Sequence, residues 1–303
     1  MQPQRILITG ASGFVGPHLR AQLEKSFPSA QHLTPSFDVA DAEGVHKAVR
    51  QADADCVIHL AAIAAIPAAR AAPDHTWQVN LHGTLNLARA VQAQRPDALF
   101  LFVSSGDIYG GTFHRGVALD EQAPPAPLNV YAATKAAADL AIGQMAAEGL
   151  RAVRLRAFNH TGPGQSNAFV VSAFAEQVAR IASGQQPPIM RVGALAPERD
   201  FLDVRDVCAA YAATIARAET LAPGTILNIA SGTPRRIGDV LDQLLEIAGI
   251  SARIETTTDR LRPTDIARAL GDPSRAQSLL NWRPSIAWEQ TLRDTLQYWQ
   301  ARV

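Results

Sequence analysis

Tyr131 and Lys135 stand four residues apart in NVYAATKAAADLA, residues 129 to 141, a stretch otherwise dominated by alanine. The chain has only three lysines, Lys25, Lys47 and Lys135, so most of its positive charge is arginine. Arginine replaces a solvated surface lysine at little cost, but its planar fork cannot replace a compact ammonium that must sit beside a phenol. At this spacing the two side chains share one face of a helix. A third group is Ser105, which ends the apolar run LFLFVSS. A hydroxyl, a phenol and an ammonium together can protonate a carbonyl oxygen while hydride reaches the carbonyl carbon from the other side. In that chemistry the ammonium is expected to favour the phenolate and to draw the phenol down from its reference pKa of about 10.

These residues need a scaffold, and the first half of the chain alternates short β-rich runs with amphipathic helical stretches. RILIT is followed by a helix over 14–25, then QHLT, FDV, a helix near 42–51 and CVIHLAA. A helix over about 82–94, the strand LFLFVSS, the alanine helix after Asn129 and the strand RAVRLRAFN complete the series. Continuous apolar strands of this kind are covered on both faces, as in a parallel sheet, and ligands of such sheets lie at the carboxyl ends of the strands, where Ser105 falls. Between the first strand and its helix, TGASGFVG places Gly10, Gly13 and Gly16 where a tight turn lets backbone N–H groups reach a pyrophosphate. A dinucleotide whose ribose 2′-OH is free is usually met by Asp or Glu at the end of the second strand, and QHLTPS offers none. Asp38, in FDVAD, is placed at the end of a third strand beside the adenine. His32, Thr34 and Ser36 leave room for a 2′-phosphate, so NADP(H) is favoured and NAD(H) remains possible.

After Asn159 the rhythm breaks at HTGPGQ, and a second lobe is expected to begin. DFLDV and TILNIAS read as strands returning to the main sheet, separated by a helix over about 205–218. The predicted organisation is a Rossmann-type doubly wound parallel sheet formed by residues 1–160 and about 195–230. A smaller substrate-binding lobe takes about 161–194 and 231–303. Ile237, Val240, Leu241, Leu244 and Leu245 follow helical spacing and carry no chemical role.

Lys plus Arg equals Asp plus Glu at 28 each, which removes the global field that would hold nucleic acid or an anionic membrane. Anion binding must then be local, and Arg191, Arg199 and Arg262 are the candidates for a diphosphate. Arg199 has Asp200 as an alternative partner, and Arg205, beside Asp206 at a helix start, reads as structural. Cys56 and Cys208 lie in apolar stretches without CxxC spacing, as expected of core residues in a reducing cytosol. The eight histidines show no HExxH spacing, so no metal is expected, and His160 reads as a packed turn histidine. No run of 18 apolar residues and no signal-type segment is present, which predicts a cytoplasmic protein without a membrane span.

TGASGFVG, CVIHLAA, VNLHGT, SSGDIYG and YAATK together resemble the extended short-chain dehydrogenase/reductase superfamily of nucleotide-sugar enzymes, over nearly the whole chain. FNHTGPGQ, FVVSAFAEQVARI, RDFLDVRDV and LRPTDIARALGDPSRAQSLLNWRP are similar to the family of GDP-4-dehydro-6-deoxy-D-mannose reductases, which make GDP-D-rhamnose. That resemblance implies that Ser105, Tyr131 and Lys135 are catalytic. It also implies that Asn80 supports the site and that Asn159 opens the substrate pocket. It extends the cofactor side to Phe14, Val15, Val39, Leu60, Ala61 and Ala62, and the pocket to Asp107 and Val170. It implies a GDP-sugar substrate and a homodimer joined through helices over about 82–94 and 131–148. Related dehydratases place a carboxylate pair or a glutamate base after the hydroxyl residue, where this chain has Gly106 and the shorter Asp107. That departure weakens dehydration; the alternatives to a reductase are an internal-redox 4-epimerase or 4,6-dehydratase that recycles its NAD(P), and a non-catalytic dinucleotide-binding regulator.

Overall fold

The computed structural model describes residues 1–257 and 266–303. The chain runs β1 (Arg5–Thr9), α1 (Val15–Ser26), β2 (Gln31–Leu33), α2 (Ala42–Ala52), β3 (Cys56–His59), α3 (Ile66–Ala71) and α4 (Pro73–Trp77). A π-helical turn over Gln78–Gly83 leads into α5 (Thr84–Gln94), β4 (Leu99–Ser105), a kinked 3₁₀ segment over Gly106–Arg115, α6 (Val130–Ala147) and β5 (Ala152–Ala157). Then come β6 (Asn159–Thr161), α7 (Val170–Ala182), β7 (Ile189–Val192), β8 (Glu198–Asp203), α8 (Val204–Arg217), β9 (Thr225–Ile229) and β10 (Pro234–Arg236). The remainder is α9 (Ile237–Ala248), β11 (Arg253–Thr256), β12 (Arg268–Ala269), α10 (Ser274–Leu280) and α11 (Trp288–Gln300).

Six parallel strands form the central sheet in the order β2-β1-β3-β4-β5-β9. Both faces are covered, which is why β1, β3 and β4 read as nearly unbroken apolar runs. One core packs Ile6, Ile8, Ile58 and Leu101 against Leu19 and Leu23 of α1 and Val207 and Tyr211 of α8. The other packs Leu7, Val57, Phe100 and Phe102 against α2, α5 and Ala138 and Ile142 of α6. This is the doubly wound parallel architecture expected. Cys56 and Cys208 are both fully buried.

Two strand assignments need correction. FDV is not a third strand: residues 34–40 form an irregular connection in which Asp38 is exposed and its Oδ1 accepts from Ala40 N at 2.9 Å. Pro35 and the exposed Thr34–Ser36 leave Phe37 and Val39 as isolated apolar positions, too few to define a strand face. DFLDV does not join the central sheet either. It forms β8, at the centre of a small separate sheet with β10, β12 and β6, while TILNI does return to the main sheet as β9. Asp200 draws β8 aside, because its carboxylate accepts from Ser231 N and Oγ, Gly232 N and Gly271 N. That carboxylate is thus committed to the loop after β9 and to Gly271 after β12. A third core gathers Val171, Phe174 and Val178 of α7, Val240, Leu241 and Leu244 of α9, and Leu292 and Leu296 of α11 around Phe201.

Candidate active site

β1 ends at Thr9, and Gly10 turns the chain with φ +71°, a conformation that glycine adopts without strain. A Cβ on Gly10 would lie 2.6 Å from Ala61 N, so Leu60 and Ala61 pack directly against the turn. A Cβ on Gly16 would lie 1.9 Å from Ala11 O, which ties the first turn of α1 to the loop. Gly13 differs: its Cβ would meet only Gly10 O, at 3.3 Å, and would otherwise enter open space at the start of α1. Beside Ser12, Gly13 and Phe14 lies a cavity of about 310 Å³ bounded on its far side by Pro163, Gly164 and Tyr298. A glycine-rich loop at the carboxyl end of β1, beside the end of β3 and leading into the N-terminus of a 12-residue helix, fits a dinucleotide diphosphate. At β2, no carboxylate lies in Gln31–Leu33. His32 has its Nε2 buried without a partner, and burial lowers the ring's pKa.

The alanine helix forms where expected. Asn129 caps α6 by accepting Ala132 N at 2.9 Å, so Tyr131 and Lys135 sit in its first two turns beside the end of β4. Ser105 is buried at that end, its Oγ accepting Asp107 N at 3.1 Å, and it hydrogen-bonds the Tyr131 phenol. Lys135 is 3% exposed, with Nζ donating to Val103 O and lying 4.4 Å above the Phe102 ring. The structure thus gathers hydroxyl, phenol and ammonium on one side of the sheet's carboxyl edge.

Their electrostatics correct one expectation. The Tyr131 pKa is raised rather than lowered, first by burial and then by the Asp107 carboxylate, with the Ser105 hydrogen bond opposing. The Lys135 amine is engaged by Val103 O and the Phe102 face, and burial pulls its pKa down to about 7, against the pull of Asp139. A phenol that keeps its proton suits a proton donor.

Asn80 lies in the π-helical turn, 1% exposed. Its Oδ1 accepts Ile63 N at 2.8 Å and its Nδ2 donates to Thr134 Oγ1 at 3.0 Å, while Thr134 Oγ1 donates to Tyr131 O at 2.8 Å. The side chain therefore ties the loop after Ala61 and Ala62 to the helix that carries the phenol. Val39 is buried, close enough that a Cβ on Gly83 would lie 2.6 Å from it. Asp38 is turned into the lead to α2 instead of ending a strand.

Asn159 begins β6 and pairs in register with Phe201, and Val170 begins α7. Arg191 is exposed on β7, its backbone held by Gln177. Arg199 donates from one guanidinium nitrogen to Glu198 O at 2.8 Å and to Ile266 O at 2.7 Å. Arg262 lies outside the described residues. Arg205 pairs with Asp203 at 2.8 Å and Asp294 at 2.7 Å, joining α8 to α11 in a structural role. His160 bonds Phe158 O through Nδ1 at 2.9 Å and stacks on Phe14 at 6.1 Å.

His59 was not singled out by its sequence pattern. Its ring is 1% exposed, with Nδ1 2.7 Å from Thr9 Oγ1 and Nε2 2.9 Å from Thr84 Oγ1. Thr84 Oγ1 donates onward to Asn80 O at 2.7 Å, so Nε2 carries the proton and Nδ1 accepts from Thr9. Burial, with Lys135 nearby, lowers its pKa to about 3 and keeps the ring neutral. The signal was a lone polar residue within CVIHLAA. Asp139, Arg154 and Arg156 were also missed, and they form a buried cluster behind Lys135.

The family model of GDP-mannose 4,6 dehydratase matches residues 23–295. The chain belongs to this family. It is 37% identical to the GDP-6-deoxy-D-mannose reductase of Pseudomonas aeruginosa, across 99% of this chain and 98% of that one. It is similar to the solved structure of RMD from Pseudomonas aeruginosa complexed with NADPH, with TM-score 0.89, 35% identity and 99% of both chains covered. The UDP-glucose 4-epimerase of Thermus thermophilus, solved in complex with NAD, has TM-score 0.84 and 28% identity, covering 99% of this chain and 100% of that one. No helix among the described residues is long and apolar enough to cross a membrane.

Proposed function

We propose that this protein is an NAD(P)H-dependent reductase that converts the C4 keto group of GDP-4-dehydro-6-deoxy-D-mannose to the alcohol of GDP-D-rhamnose. The observation that carries the reading is the full-length 37% identity to a GDP-6-deoxy-D-mannose reductase. The dTDP-D-glucose 4,6-dehydratase of Bos taurus is 24% identical over a similar span. NADPH is the favoured cofactor because β2 ends without a carboxylate, and NADH is the alternative. Gly10, Gly13, Gly16 and the N-terminus of α1 would hold the diphosphate, with Phe14, Val15, Val39 and residues 60–62 around it and Asn80 behind. When bound, the nicotinamide supplies the hydride. Tyr131 gives its proton to the C4 oxygen, and its raised pKa keeps that proton in place at neutral pH. Ser105 hydrogen-bonds the same oxygen. Lys135 offers its charge to the phenolate that remains and supports the ribose.

Residues 161–194 and 231–303 are proposed as the sugar-nucleotide lobe, with Asn159 and Val170 at its mouth and Arg191, Arg199 and Arg262 towards the diphosphate. A GDP-sugar is proposed over other nucleotide sugars on the strength of the same relative. The protein is proposed to be cytoplasmic and a homodimer joined through α5 and α6, where Leu140 is 60% exposed. Leu140→Glu with analytical ultracentrifugation tests the dimer: an unchanged mass in a folded variant counts against it.

A second reading is an internal-redox enzyme, weakened by the shortness of Asp107 but kept by its effect on Tyr131. A carboxylate near the phenol resembles the extra acid of internal-redox dehydratases, which return their cofactor unchanged. Mixing the purified protein with GDP-4-dehydro-6-deoxy-D-mannose and NADPH, and following both sugar and cofactor, separates the two. Reduction consumes NADPH, whereas epimerisation and dehydration do not.

A further inference from the structure

Lys135 works in the proposed chemistry only as an ammonium, and the groups behind it decide whether it is one. Asp139 is one helical turn further along α6 and 0% exposed. Its Oδ1 accepts from Arg154 at 3.1 Å and from Arg156 at 3.0 Å, and its Oδ2 accepts Arg156 Nε at 3.2 Å. The Arg156 fork continues to Tyr109 Oη at 2.9 Å and Glu121 O at 3.1 Å, and Tyr109 donates to Asn228 Oδ1 at 2.8 Å. The helix makes room for this cluster. A Cβ on Gly143 would come within 2.5 Å of the Arg154 guanidinium, and glycine inside a helix costs about 1 kcal/mol relative to alanine. One carboxylate therefore faces two guanidiniums, and that carboxylate lies one helical turn from a lysine that is itself buried and feels its charge.

We propose that Asp139 is a positioning residue of the reductive site, fixing α6 on β5 and holding Lys135 as an ammonium against the two arginines behind it. The proposal rests on the reductase reading for its purpose, but not for its measurement. The other groups around Lys135 and the cluster are accounted for. From β3, His59 is neutral, with its pKa driven to about 3. From the segment after β4 come Asp107, which acts on Tyr131, and Tyr109, pushed up to about 12 mainly by burial. Glu121 is raised by burial and feels Arg275 and Asp272 from the start of α10. Arg70, Asp74, His75 and Arg89 on α3, α4 and α5 are exposed to solvent.

The sign of each change follows from charge alone. Asp139→Asn removes the only carboxylate of the cluster and leaves two positive charges behind Lys135, so the lysine should lose its proton at lower pH. Arg154→Gln removes one positive charge and leaves the two-point bond of Arg156, so the lysine should keep its proton to higher pH. A shift of about one to two pH units is expected for Asp139, one helical turn from Lys135, and a smaller one for Arg154, whose guanidinium lies against Gly143 a turn further along.

With three lysines in the chain, ε-¹³C-lysine labelling gives three carbon resonances, one from the buried Lys135 and two from the exposed Lys25 and Lys47. The titration midpoint of the buried lysine should move to acid in Asp139→Asn and to alkali in Arg154→Gln. The alkaline limb of NADPH oxidation should move with it. Unmoved midpoints, or midpoints that move in the same direction, would overturn the proposal. If Asp139→Asn does not fold, Arg154→Gln decides alone, and an unmoved or acid-shifted midpoint overturns it. Failure of the reductase reading would appear separately, as wild-type protein that titrates as described but oxidises no NADPH.

Discussion

Replacing Lys135 by methionine should stabilise the protein while abolishing its chemistry. The amine is 3% exposed, and burial draws its pKa from 10.5 to about 7. At about 1.4 kcal/mol per unit, this disfavours the ammonium by about 5 kcal/mol in the folded chain. Methionine fills a similar volume without charge but gives up the hydrogen bond to Val103 O and the contact with the Phe102 face. Those losses amount to about 2 kcal/mol, which leaves a net stabilisation of about 2–3 kcal/mol at pH 7. The pH dependence is more specific. Between pH 7 and 10.5 the unfolded wild type holds a proton that the folded wild type has released, so wild-type stability rises with pH across that window. The variant lacks this group, so its advantage is full below pH 7 and should shrink by roughly 2 kcal/mol by pH 9. Urea denaturation of both proteins, followed by circular dichroism at pH 7 and pH 9, measures the difference. A variant no more stable than wild type at pH 7, or an advantage that persists unchanged at pH 9, would refute the reasoning.

Tyr131→Phe removes the proton donor and little volume, so kcat should fall by roughly 10²- to 10⁴-fold while NADPH affinity stays within a few fold. Full activity in that variant would remove the phenol from the mechanism. In steady-state kinetics kcat/KM should favour NADPH over NADH by about 10-fold, and a clear NADH preference would contradict the reading of β2. Arg199→Ala should raise KM for the sugar nucleotide by about 10- to 100-fold with little change in KM for NADPH, the worth of one charged hydrogen bond. Equal effects on both would assign Arg199 to folding through Glu198 and Ile266.

Much of the scaffold was legible because its signals are local. Apolar strands such as β1, β3 and β4, glycines at the first turn and an asparagine cap ahead of an alanine helix each act within a few residues. The proximity of Ser105 to Tyr131 followed from placing β4 beside α6. Two strands were misread, one because its deciding contacts lie far along the chain and one because its apolar positions are too few. β8 is drawn out of the main sheet by bonds from Ser231, Gly232 and Gly271 to Asp200, and FDV lacks a face to pack. The direction of the Tyr131 shift was misjudged for a similar reason: the phenol's burial and the Asp107 charge depend on tertiary placement, while i, i+4 spacing reports only that two residues share a face. The cluster of Asp139, Arg154 and Arg156 joins a helix to the strand after it, and alternating arginines in RAVRLRA look like an exposed strand face until the helix covers them.

The most direct test is a stoichiometry. Purified protein is given GDP-4-dehydro-6-deoxy-D-mannose and a limiting amount of NADPH, with absorbance followed at the nicotinamide band and the sugar analysed by NMR. One NADPH consumed for each GDP-D-rhamnose formed is the expected result. Conversion of the sugar with the NADPH absorbance unchanged would contradict it.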